Sequence, residues 1–278
     1  MTSFRSALAL AAAVLTLGAA QEPALLYEVY AIQYAVTRDF RMTSLIADAD
    51  PSESMDISMM VWLLKGADGR NVLVDTGFHR DDMVQRFKPS ALLRSSEAMA
   101  RAGFKPEAVT DVVISHVHFD HVGGLDLYPN ARVWIQRDEY EYYVDDSGKP
   151  LKPAIHNADA AMLASIRRAG RLTLVDGDAR EIIPGITVYT GGKHTFASQY
   201  VAVRTAAGVV VIASDDMHLY ASLERHVPIA QTLGAASNLR AHERMATIAS
   251  SPRLIVPGHD PAVFERFPSP GNGVARIR

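Results

Sequence analysis

His116-Val117-His118-Phe119-Asp120-His121, with Gly123-Gly124 just beyond it, is the stretch on which the reading of this chain turns. Residues 111–115 form a short β-branched run that delivers the chain into His116. His116 and His118 are two apart at the end of that expected strand. Period-2 geometry points both side chains the same way, so they can share one metal ion. Asp120 and His121 follow where the chain turns and can address a second ion beside the first. Gly123 and Gly124 are expected to let the backbone turn sharply beneath such a site. Asp120 taken alone also fits the cap of a short helix. Three histidines and a carboxylate packed together without a cation would carry a large desolvation and charge cost.

Three more positions share this character, each following an expected strand in a small-residue setting. His194 lies in Gly191-Gly192-Lys193-His194-Thr195, Asp215 in Ala213-Ser214-Asp215-Asp216, and His259 in Val256-Pro257-Gly258-His259-Asp260. Together they complete two sets: His116, His118 and His194 on one ion, and Asp120, His121 and His259 on the other. Asp215 is suited to bridge them. Asp75, in Asp75-Thr76-Gly77, is expected to brace the loop beneath the metals rather than to bind them. His79, His156, His226 and His242 read as loop, surface or helix residues.

The 278 residues contain no cysteine, which excludes disulfides, thiolate ligands and a cysteine nucleophile. Any metal must be held by nitrogen and oxygen. Hydrophobic residues make up 48% and charged residues 21%, as in ordinary soluble domains. A net charge of -3 without a basic stripe argues against nucleic acid and anionic membrane as partners. Residues 1–20 read as a secretory signal peptide. Arg5 supplies the positive start, residues 7–17 the apolar run, and Gly18-Ala19-Ala20 the small residues before Gln21. The expected mature protein, 21–278, is one domain, periplasmic or secreted.

Strands are expected at 26–35, 57–64 and 71–74, the last two forming a hairpin over Ala67-Asp68-Gly69-Arg70. Residues 36–56 lack a steady period and read as a functional loop. Helical patterns follow at 81–87 and 95–102, then a strand at 131–136 and helices at 137–144 and 158–169. Strands return at 172–175, 180–183, 186–190, 199–205 and 208–213, then a helix at 236–250 and a strand at 253–256. Strands and helices alternate in blocks, with hairpins in both halves. The fold class is therefore α/β, with two mixed β-sheets face to face and helices on the outer faces.

These residues, in this order and spacing over 57–262, resemble the metallo-β-lactamase superfamily. The resemblance implies an αβ/βα sandwich with a di-metal site at one edge. Within the superfamily the chain looks most like the N-acyl homoserine lactonases, on Asp215, the all-His/Asp set and the stretch His194-Thr195…Ser198-Gln199. That likeness implies a zinc-dependent hydrolase acting in quorum quenching, and a homodimer is common among such relatives. Organophosphate triester hydrolases and thioesterases share the ligand set and form the alternative. One position departs. Those lactonases carry a tyrosine three residues after the bridging aspartate, where it contacts the lactone carbonyl; here it is His218, with Tyr220 two residues on. Either His218 donates to the oxyanion in its place, or Tyr220 reaches in, or neither takes part.

The mechanism so implied has two ions about 3.5–4 Å apart sharing a hydroxide that attacks an ester-like carbonyl. Asp120 would pass the proton to the leaving oxygen. Phe40, Met42, Leu45, Ile46 and Met55 of the 36–56 segment would line a groove for an acyl chain, or else pack onto the sheet.

Overall fold

The structure, a computed structural model, describes residues 25–278, so the signal peptide expected at 1–20 lies outside the described residues. In chain order the elements are β1 (Tyr27–Arg41), β2 (Ser54–Gly66), β3 (Asn71–Val74), α1 (Asp81–Phe87), α2 (Ser95–Arg101), β4 (Asp111–Val113), α3 (Phe119–Val122), β5 (Arg132–Gln136), α4 (Arg137–Tyr143) and α5 (Asn157–Arg168). The second half comprises β6 (Leu172–Val175), β7 (Arg180–Ile183), β8 (Ile186–Thr190), β9 (Gln199–Thr205), β10 (Gly208–Ser214), α6 (Tyr220–Glu224), α7 (Ala235–Ile248), β11 (Ile255–Pro257), α8 (Val263–Arg266) and β12 (Val274–Ile277).

Two mixed sheets result. One runs β12-β1-β2-β3-β4-β5-β6 and the other β11-β10-β9-β8-β7. In the first, β12 through β3 pair antiparallel and β3 through β6 parallel. In the second, only β11 lies parallel to its neighbour.

Alternation along the strands explains how two sheets make three apolar layers. On β2, Ile57, Met59, Val61 and Leu63 face the helices outside, whereas Met60, Trp62 and Leu64 face the other sheet. On β9 and β10, Val201, Val203, Val210 and Ile212 meet them there, while Tyr200, Ala202, Val211 and Ala213 turn outward onto Ala241 and Met245 of α7. A strand buried on both faces has no polar alternation to show, which is why 57–64 reads as an unbroken apolar run. The αβ/βα sandwich expected from the sequence is the fold.

Three differences have physical causes. The segment 36–56 is not a loop throughout: β1 continues to Arg41, pairing Phe40 with Met55 across a register shift where Asp39 has φ 51°. That bulge breaks the period-2 signal. β12 escapes a sequence reading because four residues carry little pattern; pairing with β1 makes it a strand. The short helices α6 and α8 were also not foreseen, each being too brief for a 3.6-residue period to register. Among the described residues, no helix is long and apolar enough to cross a membrane.

Candidate metal centre

The candidate residues gather at one edge of the sandwich because each follows the C-terminal end of a strand. Asp75 comes after β3, His116 after β4, His194 after β8, Asp215 after β10 and His259 after β11. Three of these strand exits contain a non-glycine residue in the left-handed region: Asp75 (φ 60°), Lys193 (φ 57°) and Ser214 (φ 48°). Such backbone is costly and persists where surrounding contacts over-determine it. Gly258 answers a different need. A Cβ there would lie 2.6 Å from Asp215 Oδ1 and 2.7 Å from the Ser214 carbonyl oxygen, so only glycine lets β11 end against Asp215. Gly124 likewise has no positive φ; a Cβ would overlap the Thr76 carbonyl oxygen. Close approach, not the sharp turn expected from the sequence, is what requires glycine after the histidines.

Ligand-type atoms of His116, His118, His194 and Asp215 all lie within 4.8 Å of one another, and so do those of Asp120, His121, Asp215 and His259. Asp215 belongs to both groups. His118 Nδ1 stands 3.0 Å from His116 Nε2 and 2.9 Å from His194 Nε2. Asp215 Oδ2 is 3.4 Å from both His121 Nε2 and His194 Nε2, and Asp215 Oδ1 is 3.0 Å from His259 Nε2. Asp120 Oδ2 is 3.6 Å from His121 Nε2 and 3.8 Å from His259 Nε2.

Hydrogen bonds on the far side of each ring decide what the inward nitrogens offer. His194 Nδ1 donates to the Gln231 carbonyl (2.8 Å), His259 Nδ1 to the Ser58 carbonyl (3.1 Å) and His121 Nδ1 to Asp75 (2.8 Å). A carbonyl or carboxylate oxygen only accepts, so the proton sits on Nδ1 and the neutral ring keeps a lone pair on Nε2. Ser115 Oγ gives its one proton to Asp75 and is left to accept from His116 Nδ1 at 3.0 Å. The inward nitrogens of His116, His121, His194 and His259 all face Asp215, and each ring in its neutral form offers a lone pair there; His121 and His259 reach that form when a cation replaces the proton that their carboxylate neighbours favour. His121 Nε2 and Asp215 Oδ1 are buried without any hydrogen-bond partner. This donor set fits divalent cations of the zinc kind, which neutral imidazole and carboxylate both bind.

Electrostatics agree. Burial, reinforced by neighbouring imidazoles, holds His116 and His194 well below the ordinary histidine value. Burial also lowers His118. For His121 burial works the same way, but Asp215, Asp120 and Asp75 outweigh it and raise that ring well above the ordinary value. His259 is raised against burial by Asp215 and Asp120. Asp215 is itself held well below the usual carboxylate range, because His259 and His121 overcome its burial. Without a cation the carboxylates must recruit protons.

Asp75 behaves as expected. Wholly buried, it accepts from Ser115 N–H and Oγ (2.8 Å each), His121 Nδ1 and Ser214 Oγ (3.0 Å), tying the ends of β3, β4 and β10 together.

The site floors a cavity of about 830 Å³. Phe40, Leu45, Ile57, Met83, Phe87 and Phe119 supply much of its apolar wall, facing the segment 150–157. Of the five residues expected to line an acyl groove, Phe40 and Leu45 do. Met42, Ile46 and Met55 pack with the outer core beneath helices and sheet.

His218 and Tyr220 part company. His218 is buried at the cavity, Nε2 3.6 Å from Asp215 Oδ2, with Nδ1 donating to the Leu45 carbonyl at 3.1 Å. With Nδ1 so engaged, a neutral ring offers the cavity an acceptor at Nε2 rather than the donor that one of the three alternatives requires. Donation from Nε2 requires a second proton on the ring. Tyr220, in contrast, lies in the inter-sheet core with the Arg266 guanidinium 3.7 Å over its ring, and it does not line the cavity. Its N–H bonds Asp260 Oδ2, from a remote segment, as α6 begins, and its ring packs into the inter-sheet core. The catalytic role considered for Tyr220 is thereby corrected.

Two further histidines, one a partly exposed helix cap and one on α7, make contacts of their own. His156 caps α5 at the cavity wall, and His242 is buried with Nε2 2.8 Å from the Asp216 carbonyl. His79 pairs with Asp126, and His226 is exposed beside Glu243. Reading by motif also missed Ser115, Ser214 and Glu139, which hold ligand loops from behind and follow no spacing rule.

A model of the metallo-beta-lactamase superfamily matches residues 59–259. An N-acyl homoserine lactonase of Bacillus sp is 25% identical over 202 residues, which is 68% of this chain and 75% of that one. Another from Bacillus cereus is 27% identical over 203 residues, with the same coverage. The solved structure of a quorum-quenching N-acyl homoserine lactone lactonase superposes with TM-score 0.70 at 21% identity, covering 86% of this chain and 95% of its own. Hydrolase AbOPH of the beta lactamase superfamily superposes with TM-score 0.66 at 18% identity, covering 92% and 98%. At these identities the structural likenesses speak for the fold.

Proposed function

Because this chain belongs to the metallo-beta-lactamase superfamily and is a metal-dependent hydrolase, we propose that it opens the ring of N-acyl homoserine lactones with two divalent ions, zinc in the first instance. The observation that carries this reading is the pair of His/Asp groups sharing Asp215 on the floor of an apolar-walled cavity. Relatives named N-acyl homoserine lactonase along two thirds of the chain support the substrate class. The ions, when bound, would supply an activated water near neutral pH and polarise an ester carbonyl.

The chain's own residues do the rest. His116, His118 and His194 would hold one ion, Asp120, His121 and His259 the other, and Asp215 both. Fixed Nδ1 partners keep four of those rings oriented before any ligand arrives, so little reorganisation accompanies binding. Asp120 faces the cavity and is lowered, His121 and His259 outweighing its burial; it is the group placed to take a proton and hand it to the leaving alkoxide. His218, presenting Nε2 as acceptor, suits the amide N–H of an acyl homoserine side arm better than a carbonyl oxygen. Phe40, Leu45, Phe87 and Phe119 would shelter the acyl chain and exclude water from it. The leader at 1–20 supports a periplasmic or secreted site of action.

A second reading, an organophosphate triester or other ester hydrolase, draws on one observation. A neutral His218 has no proton to offer a lactone carbonyl, and a triester does not require that contact. Kinetics on a long-chain homoserine lactone, an aryl organophosphate triester and a cephalosporin separate the readings. Highest kcat/KM on the lactone is expected; preference for the triester would replace the first reading with the second.

A further inference from the structure

Glu139 is a wholly buried carboxyl in the first turn of α4, with no place in the chemistry described so far. Its Oε1 accepts from the Val117 N–H at 3.2 Å and the Thr195 hydroxyl at 2.6 Å, and its Oε2 accepts from the Ala197 N–H at 2.7 Å. Val117 lies between the candidate ligands His116 and His118, and Thr195 follows the candidate ligand His194. One side chain thus grips the residue between His116 and His118 and the segment beside His194, and it makes no hydrogen bond to Asp120, His121 or His259 themselves, although the first two follow Val117 on the same stretch of chain. One turn further along α4, the Tyr143 hydroxyl accepts from the Phe196 N–H at 3.3 Å, and the Tyr142 ring stacks on Phe196 with centroids 3.9 Å apart. Residues 195, 196 and 197 are therefore each fastened to α4, and Glu139 carries the link onward to Val117, beside the Gln199 bonds to the Ser115 and Ile114 carbonyls at the end of β4.

We propose that Glu139 is a positioning residue for one metal ion only: it sets the distance between the His116–His118 loop and the His194 loop, and so the affinity of the ion those three histidines hold. This rests on the two-ion reading above. The chemistry favours a carboxylate at this position. Three donors converge on two oxygens, and a glutamine would turn its NH₂ against either the Ala197 N–H or the pair on Oε1. Buried donors left without acceptors pull the loops toward other partners. Groups behind metal-bound histidines commonly change metal affinity by about 10–100-fold when removed.

The test is stepwise removal of zinc from the loaded full-length chain by a graded chelator, following metal per chain rather than turnover. Wild type is expected to release two ions. Glu139→Gln is expected to release one of them at chelator strengths about 10–100-fold lower, with the other within about threefold of wild type. Thr195→Val removes a single bond of the clasp and should show the same one-sided loss, smaller; it decides the matter if Glu139→Gln does not fold. Tyr27→Phe, which removes the bond from the Tyr27 hydroxyl to the Pro184 carbonyl, away from the ligand loops, is the control for general destabilisation. Unchanged release in both variants, or equal weakening of both ions, overturns the proposal. A wild type that holds fewer than two ions instead overturns the two-ion reading, and the clasp falls with it.

Discussion

The floor of the cavity and its walls are built by opposite means. Floor residues sit at strand exits, with ring orientations fixed by acceptors from Asp75, Ser58, Ser115 and Gln231. The walls come from separate segments: the end of β1 with the loop beyond it, α1, and residues 150–157. The last two meet where His156 pairs with Asp82 of α1, beside an ion pair from Arg80, just before α1, to Asp159 of α5. A floor made by sheet ends is oriented by hydrogen bonds from behind and seated on the cores below it. A wall made of segments can change its side chains without disturbing that floor. On the proposed function, chemistry would reside in the first and choice of substrate in the second.

The largest break in this division should come from the residue both ligand groups share. Asp215→Asn leaves the fold's apolar layers intact but removes the charge facing five imidazoles. Lactone hydrolysis should fall by three orders of magnitude or more, by order-of-magnitude reasoning on metal catalysis. Elemental analysis should find fewer than two ions per chain. Asp120→Asn is next: loss of a proton-transfer group costs about 10²–10⁴-fold. The loss should appear in kcat and be milder for substrates whose leaving group needs no proton. On the wall, Phe87→Ala should leave short-chain turnover within about threefold. It should lower kcat/KM for long acyl chains by roughly 10–200-fold, the range for apolar pocket contacts. A uniform loss across chain lengths would erase the distinction between floor and wall.

Glu139 gives the comparison a pH axis. Burial pushes its carboxyl up to about 7 from an ordinary 4.5, although Thr195, Ala197 and Val117 favour the charged form. A raised folded value means the native state holds the proton longer. Its contribution to metal-free stability is complete below 4.5 and is lost as pH rises to about 7. Denaturant titrations of the metal-free chain at pH 5 and pH 7.5 should show a decline from this group of roughly 2–4 kcal/mol. That decline should be absent in Glu139→Gln. The smallest effect belongs to Tyr220→Phe, whose ring lies outside the cavity: kcat and KM should both stay within about twofold. A large fall in kcat would return Tyr220 to the site.

The floor was legible in the amino-acid sequence for a physical reason. Metal ligands are restricted to few residue types, and strand exits crowd them into short spans, so His116 to His121 announces itself. His194, Asp215 and His259 became readable only as partners of that cluster, each behind an apolar strand. Asp75 was readable as a brace for the same reason. The walls were not. Phe87 and Ile155 carry no pattern beyond that of residues packing on a sheet, and only the paths of α1 and 150–157 bring them to the cavity. Glu139 was invisible in Arg137-Asp138-Glu139-Tyr140, where it resembles any surface carboxylate of a helix. His218 and Tyr220 could not be told apart, since the hydrogen bonds to Leu45 and Asp260 that separate them come from remote segments.

The central claim, that this floor holds two ions and that hydrolysis depends on them, is tested most directly by counting metal against rate on the same sample. Chelator-stripped protein should lose hydrolysis of a long-chain N-acyl homoserine lactone, and zinc should restore it only as the second equivalent per chain is taken up. Full hydrolytic rate in protein shown to be metal-free would contradict the account.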